Sequence, residues 1–300
     1  MHPSRNQHTI AESCQVSGRG YWSGQAVCVQ LHPAAACTGI TLVRSDLVDQ
    51  PSCPATSDFA IDADFRTNLV CGPARFQMVE HLMAALAGLE IDNCLVEIDG
   101  EELPGLDGSC LPYVQALQNA GLVIQAAARP RFVVKETIRV SRNDTWIEAT
   151  PSTDGYAHFA YDLNYGQRSP IRPQSFAARM TPRSFATRIA PARTFVTAEQ
   201  AQQLRAAGVA AHVTNQDLLV FDDHGPVDNP LHFDNECARH KTLDLIGDLA
   251  MAGIDFVGQV RSHRGGHILN GQMARKLRRA YDTQLEGQDP FRNSRNRNAA

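Results

Sequence analysis

The chain has 300 residues, with 28 Lys and Arg against 32 Asp and Glu, and its formal net charge is -4. This near balance excludes the strongly basic class of nucleic-acid-binding proteins, and the 43% share of hydrophobic residues excludes a disordered or fibrous chain. No apolar run approaches the roughly 20 residues of a membrane-spanning helix, and the first residues lack the apolar stretch of a secretory signal. We therefore expect a globular cytoplasmic protein without a membrane span and without a nucleic-acid partner.

The cysteines are scattered and include no C-x-x-C pair. They are Cys14, Cys28, Cys37, Cys53, Cys71, Cys94, Cys110 and Cys237. A zinc ribbon requires clustered thiolates, and disulfides are rare in a reducing compartment. We expect most of these side chains to be small, buried free thiols.

The first part of the chain has the pattern of strands followed by helices. Alternating apolar residues predict strands within residues 9–47 and over 94–98. The run VEHLMAALAGL at 79–89, rich in Ala and Leu and acidic at its start, predicts a helix. A second helix is predicted over 111–120. These elements indicate one α+β unit at 1–126.

A similar order follows in the second part. An Ala-rich stretch at 125–130 is interpreted as a linker, and strand patterns begin again at Arg131. Helices are predicted over 198–207 and 235–252, with a DLLVF strand between them. The fold class expected is therefore α+β, with two similar domains in which sheets pack on helices.

The second unit is assigned to residues 131–280. Beyond Tyr281 the sequence is polar and has almost no apolar anchor, so residues 281–300 are predicted to be disordered.

His240 and Asp244 lie four positions apart on the strongest predicted helix, and Asp248 extends the same face by one turn. Side chains at this spacing are about 5–6 Å apart at their Cβ atoms, a span that one zinc ion can bridge. The rest of the helix is apolar, so the stripe is expected to face the interior, where it needs a metal or a partner. A surface hydrogen-bonded pair is the alternative reading of this spacing.

Glu80 and His81 begin the otherwise apolar helix of the first unit. A third ligand from this separate segment would complete a catalytic site with three protein ligands and one open position, and Glu80 would stand beside it as a base. The alternative is a first-turn acid favoured by the helix dipole and a satisfied core imidazole. His267 follows two glycines that permit close backbone approach, although it is also compatible with an exposed loop histidine.

Six motifs stand in one order and spacing: SGRGYWSG, VEHLMAALAGLEIDN, LDGS, ARTF, FDNECARHKTLDLIGDL and GGHILN. Together they resemble the UDP-3-O-acyl-N-acetylglucosamine deacetylases, zinc amidases of lipid A biosynthesis, over residues 9–280. The resemblance implies two similar α+β domains with the active site at the domain interface and a zinc ion at its floor. It also implies removal of the N-acetyl group from the acylated UDP-sugar, with release of acetate.

The resemblance assigns roles to individual residues. The implied zinc ligands are His81, His240 and Asp244. The implied catalytic residues are Glu80, His267, Asp248, Thr194 and Lys241. Glu80 resembles the base that deprotonates water, and His267 the charged imidazole that stabilises the oxyanion and serves the leaving amine. Asp248 resembles the carboxylate that orients this imidazole, Thr194 the hydroxyl facing the tetrahedral intermediate, and Lys241 a cation near the substrate.

Several positions depart from the family pattern. They are Trp22, where the family has a histidine, Val196 and Thr197, His212 and Val213, and Arg264 and Thr145, where it has lysines. The segment near 196–216 resembles the insert that forms the acyl-chain passage, so the departures there leave the accepted acyl length open. Arg264 keeps the positive charge with a different geometry.

The resemblance implies Zn²⁺ as the cofactor, with Fe²⁺ as the alternative ion, and a UDP-sugar lipid precursor as the substrate. We expect a monomer that makes at most transient contact with a membrane surface. Two other functions stay open: a divergent zinc amidase acting on another N-acylated amino sugar, and a non-catalytic zinc-binding scaffold. The scaffold predicts loss of Glu80 or His267, and both residues are present.

Overall fold

The same arrangement of five strands occurs twice along the chain. The computed structural model describes residues 5–288. The strands of its first half are β1 (Asn6–Ile10), β2 (Cys14–Arg19), β3 (Ala26–Pro33), β4 (Ile40–Arg44), β5 (Ser52–Pro54), β6 (Ala60–Ile61), β7 (Asn68–Cys71), β8 (Ala74–Gln77), β9 (Cys94–Ile98) and β10 (Leu122–Ala128), and the helices are α1 (Glu80–Gly88) and α2 (Leu111–Ala120).

The second half has its own strands and helices. The strands are β11 (Arg131–Val133), β12 (Ile138–Arg142), β13 (Thr145–Thr150), β14 (Ala157–Leu163), β15 (Gln174–Arg179), β16 (Phe195–Thr197), β17 (Leu219–Asp222), β18 (Gly225–Pro226) and β19 (Asp255–His263). The helices are α3 (Pro182–Arg188), α4 (Ala198–Ala206), α5 (Glu236–Ala250) and α6 (His267–Gln288).

The two main sheets share one topology. The first has the order β2-β3-β9-β4-β5, and the second has the order β12-β13-β19-β14-β15, with β11 added beside β19. In each sheet the central strand, β9 or β19, is parallel to one neighbour and antiparallel to the other. In each half a helix precedes the central strand and another follows it: α1 and α2 in the first, α5 and α6 in the second. The α+β fold class is therefore confirmed, while the predicted domain boundaries stay predictions.

The helices pack on the sheets and contact one another. Helix α5 packs on β14, β15 and α6, and α1 packs on α2 and α5. The approach of α1 to α5 depends on Gly247, because a Cβ atom at this position would overlap the carbonyl oxygen of Glu80. Glycine at the contact therefore sets the short distance between the two helices that carry the titratable residues.

In each half an insert lies between the edge strand, β5 or β15, and the helix that precedes the central strand. In the first half the insert is the small sheet β6-β7-β8, and in the second it contains α3, α4 and the small sheet β16-β17-β18. Thr197 caps α4 by accepting a hydrogen bond from the backbone of Gln200. No helix within residues 5–288 has the length and apolar character needed to cross a membrane.

Two sequence predictions are wrong. The proposed linker at 125–130 contains the end of β10, which pairs antiparallel with β1. Alanine is a poor strand former, but β1 supplies backbone partners, and the side chain of Gln125 is held by Asn93 and by the carbonyl oxygen of Ala34.

Residues 281–288, predicted to be disordered, continue helix α6. Tyr281 is partly buried against the core, and Arg278 donates to the Asp282 carboxylate one helical turn later. These contacts anchor a segment whose composition is polar. Residues 289–300 lie outside the described part of the chain.

All eight cysteines are free. Four of them, Cys53, Cys94, Cys110 and Cys237, are buried, whereas Cys37 is exposed and the other three are intermediate. The expectation that most would be buried therefore holds for half of them.

Candidate metal centre

The first two polar side chains of the centre stand at the start of α1. The chain leaves β8 through Met78, whose φ is 60°, and enters the helix at Glu80. Both Glu80 and His81 are buried, as are almost all the apolar residues after them. Because this face of α1 lies against α5, the Glu80 and His81 side chains meet polar groups of α5 rather than solvent.

Helix α5 supplies His240, Asp244 and Asp248 from successive turns, and all three are buried. Nδ1 of His240 lies 3.1 Å from the carbonyl oxygen of Ala192. With Nδ1 donating to that oxygen, Nε2 keeps its lone pair and lies 3.4 Å from Oδ1 of Asp244. Nε2 of His81 lies 3.6 Å from the same oxygen.

His81, His240 and Asp244 fit a divalent metal ion. Each offers one ligand atom, and the three atoms lie within 4.8 Å of one another. Two imidazole nitrogens and one carboxylate oxygen form a typical zinc donor set, and three protein ligands leave one position for substrate or water. A buried carboxylate with two imidazoles at this distance is costly unless a cation or donors compensate it. The donor chemistry and the burial therefore both suit a bound cation.

His267 and Asp248 form a second polar pair beside the three ligands. Nδ1 of His267 lies 3.0 Å from Oδ2 of Asp248, to which the side chain of Asn270 also donates at 2.8 Å. Nε2 of His267 lies 3.8 Å from Oδ2 of Asp244. The first residue of α6 therefore directs one ring nitrogen to the Asp248 carboxylate and the other towards the three candidate ligands.

Thr67 joins both halves of the centre, and the sequence analysis missed it. Its backbone N–H donates to Oε2 of Glu80 at 2.9 Å, and its hydroxyl donates to Oδ1 of Asp248 at 2.5 Å. The same hydroxyl lies 3.1 Å from Nδ1 of His267. Thr67 is buried just before β7, in a stretch that contains none of the six motifs, so no local signal indicated its role.

Thr194 and Lys241 complete the set of predicted residues. The Thr194 hydroxyl lies 3.2 Å from Nε2 of His240 and donates to the carbonyl oxygen of Gly108 at 3.0 Å. The ammonium of Lys241 donates to Oδ2 of Asp244 at 2.6 Å. All eight residues predicted for the site are therefore connected, directly or through Thr67.

Burial and neighbouring charges lower the pKa of one group in the centre and raise the pKa of two others. Burial lowers the pKa of His240 to about 4, so its imidazole is neutral at pH 7, the form that binds metal. Burial also lowers the pKa of His267, but the Asp248 carboxylate outweighs it, and the net effect raises this pKa to about 9. Burial raises the pKa of Glu80 above its ordinary value.

Asp244 behaves differently from Glu80. Burial would raise its pKa, yet the charge of Lys241 and the neighbouring His240 hold this pKa well below the ordinary value. The same carboxylate raises the pKa of Lys241 against the effect of burial. Within one buried cluster, Asp244 is therefore held ionised, whereas the charged form of Glu80 is disfavoured.

Several of the positions that depart from the family pattern are held by specific contacts. The ring of Trp22 lies 4.6 Å from the Arg66 guanidinium and 6.4 Å from the Phe65 ring. Nε2 of His212 lies 2.9 Å from the carbonyl oxygen of Gly20, and Val213 packs with Tyr21 and Met78 in a small apolar cluster. Arg264 pairs with Asp144.

Comparison with known proteins is consistent with this geometry. The model of the family described as UDP-3-O-acyl N-acetylglycosamine deacetylase matches residues 7–279. A protein named UDP-3-O-acyl-N-acetylglucosamine deacetylase from Anaeromyxobacter sp. is 37% identical over 274 residues, which cover 91% of this chain and 88% of the relative. Proteins of the same name from Thermosynechococcus vestitus and Brucella ovis are 39% and 38% identical, covering 90% of this chain and 93% and 94% of their own.

Proposed function

Because the chain belongs to the UDP-3-O-acyl N-acetylglycosamine deacetylase family, we propose that it hydrolyses the N-acetyl group of UDP-3-O-acyl-N-acetylglucosamine and releases acetate, the committed step of lipid A biosynthesis. Relatives that carry this name align with nine-tenths of the chain. The observation that carries the proposal is the buried group of His81, His240 and Asp244, with Glu80 and His267 beside it.

Zinc is the ion that we propose for this group, with Fe²⁺ as the alternative. A neutral His240 and an ionised Asp244 are the protonation states that metal ligands require. When bound, zinc acts as a Lewis acid that polarises the acetyl carbonyl and makes water nucleophilic at neutral pH. Affinity alone favours Zn²⁺ over Fe²⁺.

Glu80 is proposed as the general base. Its carboxylate is buried beside His81 and is oriented by the N–H group of Thr67. A pKa raised by burial makes this carboxylate more basic than an exposed glutamate. It would take a proton from the attacking water as the oxygen bonds to the acetyl carbon.

His267 is proposed as the acid, oriented by Asp248. With a pKa of about 9 the imidazole carries its proton at pH 7. Its Nε2 faces the three ligands, where the charge can stabilise an oxyanion. When the amide C–N bond breaks, the same nitrogen would give its proton to the leaving amine, so that acetate and a free amino sugar result.

Thr194 and Lys241 are also proposed to act on the substrate. The Thr194 hydroxyl is fixed by Gly108 beside His240 and would face the tetrahedral intermediate. Lys241 would place a cation near the anionic substrate. Its hydrogen bond to Asp244 gives it a further role in neutralising the ligand carboxylate.

A monomeric enzyme in the cytoplasm remains our proposal for the state and location of the chain. The eight free thiols support a reducing compartment. Contact with a membrane surface stays a prediction as well.

The proposal is tested by assaying the purified, zinc-loaded protein for acetate release. Three substrates are compared: UDP-3-O-acyl-N-acetylglucosamine, UDP-N-acetylglucosamine without the acyl group, and N-acetylglucosamine. We expect fast release from the first alone. Release only from another N-acetylated amino sugar would favour the divergent amidase, and release from none by folded, zinc-loaded protein would favour the scaffold.

A further inference from the structure

A buried ion pair joins the start of α5 to the segment that precedes β16. Glu236 is the first residue of α5 and is fully buried, and Arg193 is buried against it. Nε of Arg193 donates to Oε1 of Glu236 at 2.8 Å, and Nη2 donates to Oε2 at 3.1 Å. The backbone N–H of Arg193 donates to Oε1 at 3.1 Å. This fork binds both carboxylate oxygens and fixes main chain as well as side chain.

The remaining groups of the pair are also satisfied. Nη1 of Arg193 donates to Oδ1 of Asn229 at 2.6 Å, and Nη2 donates to the carbonyl oxygen of Pro230 at 2.8 Å. The N–H group of His232 donates to Oε2 of Glu236 at 2.6 Å. So many hydrogen bonds on both side chains make the pair rigid.

Both neighbours of Arg193 in the chain touch the metal centre. The carbonyl oxygen of Ala192 lies 3.1 Å from Nδ1 of His240, and the hydroxyl of Thr194 lies 3.2 Å from Nε2 of the same ring. Glu236 stands four residues before His240, so both side chains lie on the same face of α5. The ion pair therefore fixes the segment 192–194 relative to the ring that it contacts.

We propose that Arg193 and Glu236 are positioning residues that set the orientation and tautomer of His240. Holding the carbonyl oxygen of Ala192 against Nδ1 keeps the proton on that nitrogen and leaves Nε2 free for the metal. The same ion pair holds the Thr194 hydroxyl next to Nε2, the ring nitrogen that is proposed to bind the metal. This inference rests on the proposed function, since it takes His240 as a metal ligand.

The effect on zinc affinity distinguishes positioning from general stability. Losing the outer hydrogen bond of a ligating histidine typically weakens metal affinity by about 10- to 100-fold. Glu236→Gln retains the shape of the side chain but removes the charge that holds the Arg193 fork. We expect its zinc dissociation constant, measured by chelator competition, to rise by about 10- to 100-fold. Arg193→Lys, which keeps the charge but loses the fork, should fall between this variant and the wild type.

Asp92→Asn is the matched control. Asp92 is a buried carboxylate that accepts hydrogen bonds from Arg5 and from the N–H group of His8, with Arg129 also adjacent. It resembles Glu236 in burial and partners, but among residues 5–288 its contacts include no member of the metal centre. This variant should lower the melting temperature without changing the zinc dissociation constant.

A double variant separates the two roles further. In Arg193→Met/Glu236→Leu both charges are replaced by apolar side chains, a change that often preserves stability. We expect the metal-free double variant to melt near the temperature of the metal-free wild type. We also expect it to bind zinc more weakly than the wild type does. Wild-type zinc affinity in Glu236→Gln, or equal weakening in Asp92→Asn, would overturn the proposal. If the double variant fails to fold, the two single variants and the control decide the matter.

The assay also separates this inference from the proposed function. Wild-type protein that binds zinc but releases no acetate from the acylated UDP-sugar would contradict the function, and zinc affinities of the variants would still test the positioning role. Acetate release by the wild type with unchanged zinc affinity in Glu236→Gln would contradict the positioning role alone.

Discussion

The two halves of the molecule share a scaffold but not a chemistry. Helix α1 in the first half and α5 in the second occupy equivalent places, each directly before the central strand of its sheet. Helix α1 is short and apolar and bears its polar pair, Glu80 and His81, at its start. Helix α5 is longer and carries His240, Asp244 and Asp248 along three turns. A duplicated scaffold thus brings two different sets of side chains face to face, and neither half contains the complete site.

The inserts follow the same logic. Each insert lies between an edge strand of its sheet, β5 or β15, and the helix that faces the site. Each insert also contains a strand that begins directly after a threonine. Thr67 precedes β7 and binds Asp248, whereas Thr194 precedes β16 and contacts His240. Equivalent insertion points in the two halves therefore each bring one threonine hydroxyl to the centre, where the two contact different residues.

The largest loss of turnover is expected when the first half loses its proposed base, Glu80. Glu80→Gln removes the proposed base without removing a ligand, so turnover should fall by about 10²- to 10⁴-fold while the zinc content stays unchanged. Acetate release and metal analysis on the same preparation measure both quantities. Glu97→Gln, on the half-exposed side of β9, is the control. Near-normal turnover of Glu80→Gln would remove Glu80 from the mechanism.

A smaller effect is expected at the contact between the two helices. In Gly247→Ala the added methyl group meets the backbone of Glu80, so α1 and α5 must separate. Overpacking of this kind costs about 1–3 kcal/mol of unfolding free energy, and a shift of 1 Å can reduce turnover by about 100-fold.

Gly271→Ala provides the comparison within α6. A Cβ atom there would meet only the Arg275 side chain, at 3.7 Å. This variant should gain up to about 1 kcal/mol from helix propensity. Chemical denaturation and steady-state kinetics check both variants. Equal behaviour of the two would show that the distance between α1 and α5 does not matter.

The smallest effect on turnover at neutral pH is expected for a change in the pair of His267 and Asp248, both of which belong to the second half. Because His267 has a raised pKa of about 9, it keeps its proton below that pH, and turnover should fall as the pH rises through it. Asp248→Asn removes the charge that favours the imidazolium, so the alkaline limb should move towards acid by about 1–3 pH units. Asp154→Asn, which removes the partner of the surface His158, should leave the limb in place. An unmoved limb in Asp248→Asn would contradict the pairing.

Local sequence patterns predicted the elements well where the residues of an element alone determine its structure. The helices α1, α2, α4 and α5 were predicted within two residues of their bounds, because apolar periodicity and terminal glycines define them. Strand β10 was missed because its Ala-rich sequence gains strand structure only from pairing with β1. Helix α6 was not predicted, and its residues 281–288 were predicted to be disordered, because contacts of Tyr281 and Arg278 replace apolar patterning there.

For the site as well, residues in local motifs were predicted, whereas a residue that depends on distant partners was not. Side chains within recognisable motifs, such as His240 with Asp244, were predicted from spacing and resemblance, and the structure brings them together. Thr67 could not be identified, since its partner Asp248 lies 181 positions later in the chain. Contacts that exist only after the two halves meet leave no periodic trace in the sequence.

A metal centre shared by the two halves is tested most directly by counting bound zinc in variants of each half. Wild-type protein, His81→Ala and His240→Ala are equilibrated with a chelator of matched affinity and analysed for metal, with circular dichroism to confirm folding. We predict one zinc ion per wild-type chain and loss of that ion in both variants. Full occupancy in either folded variant would show that the two halves do not share one metal centre.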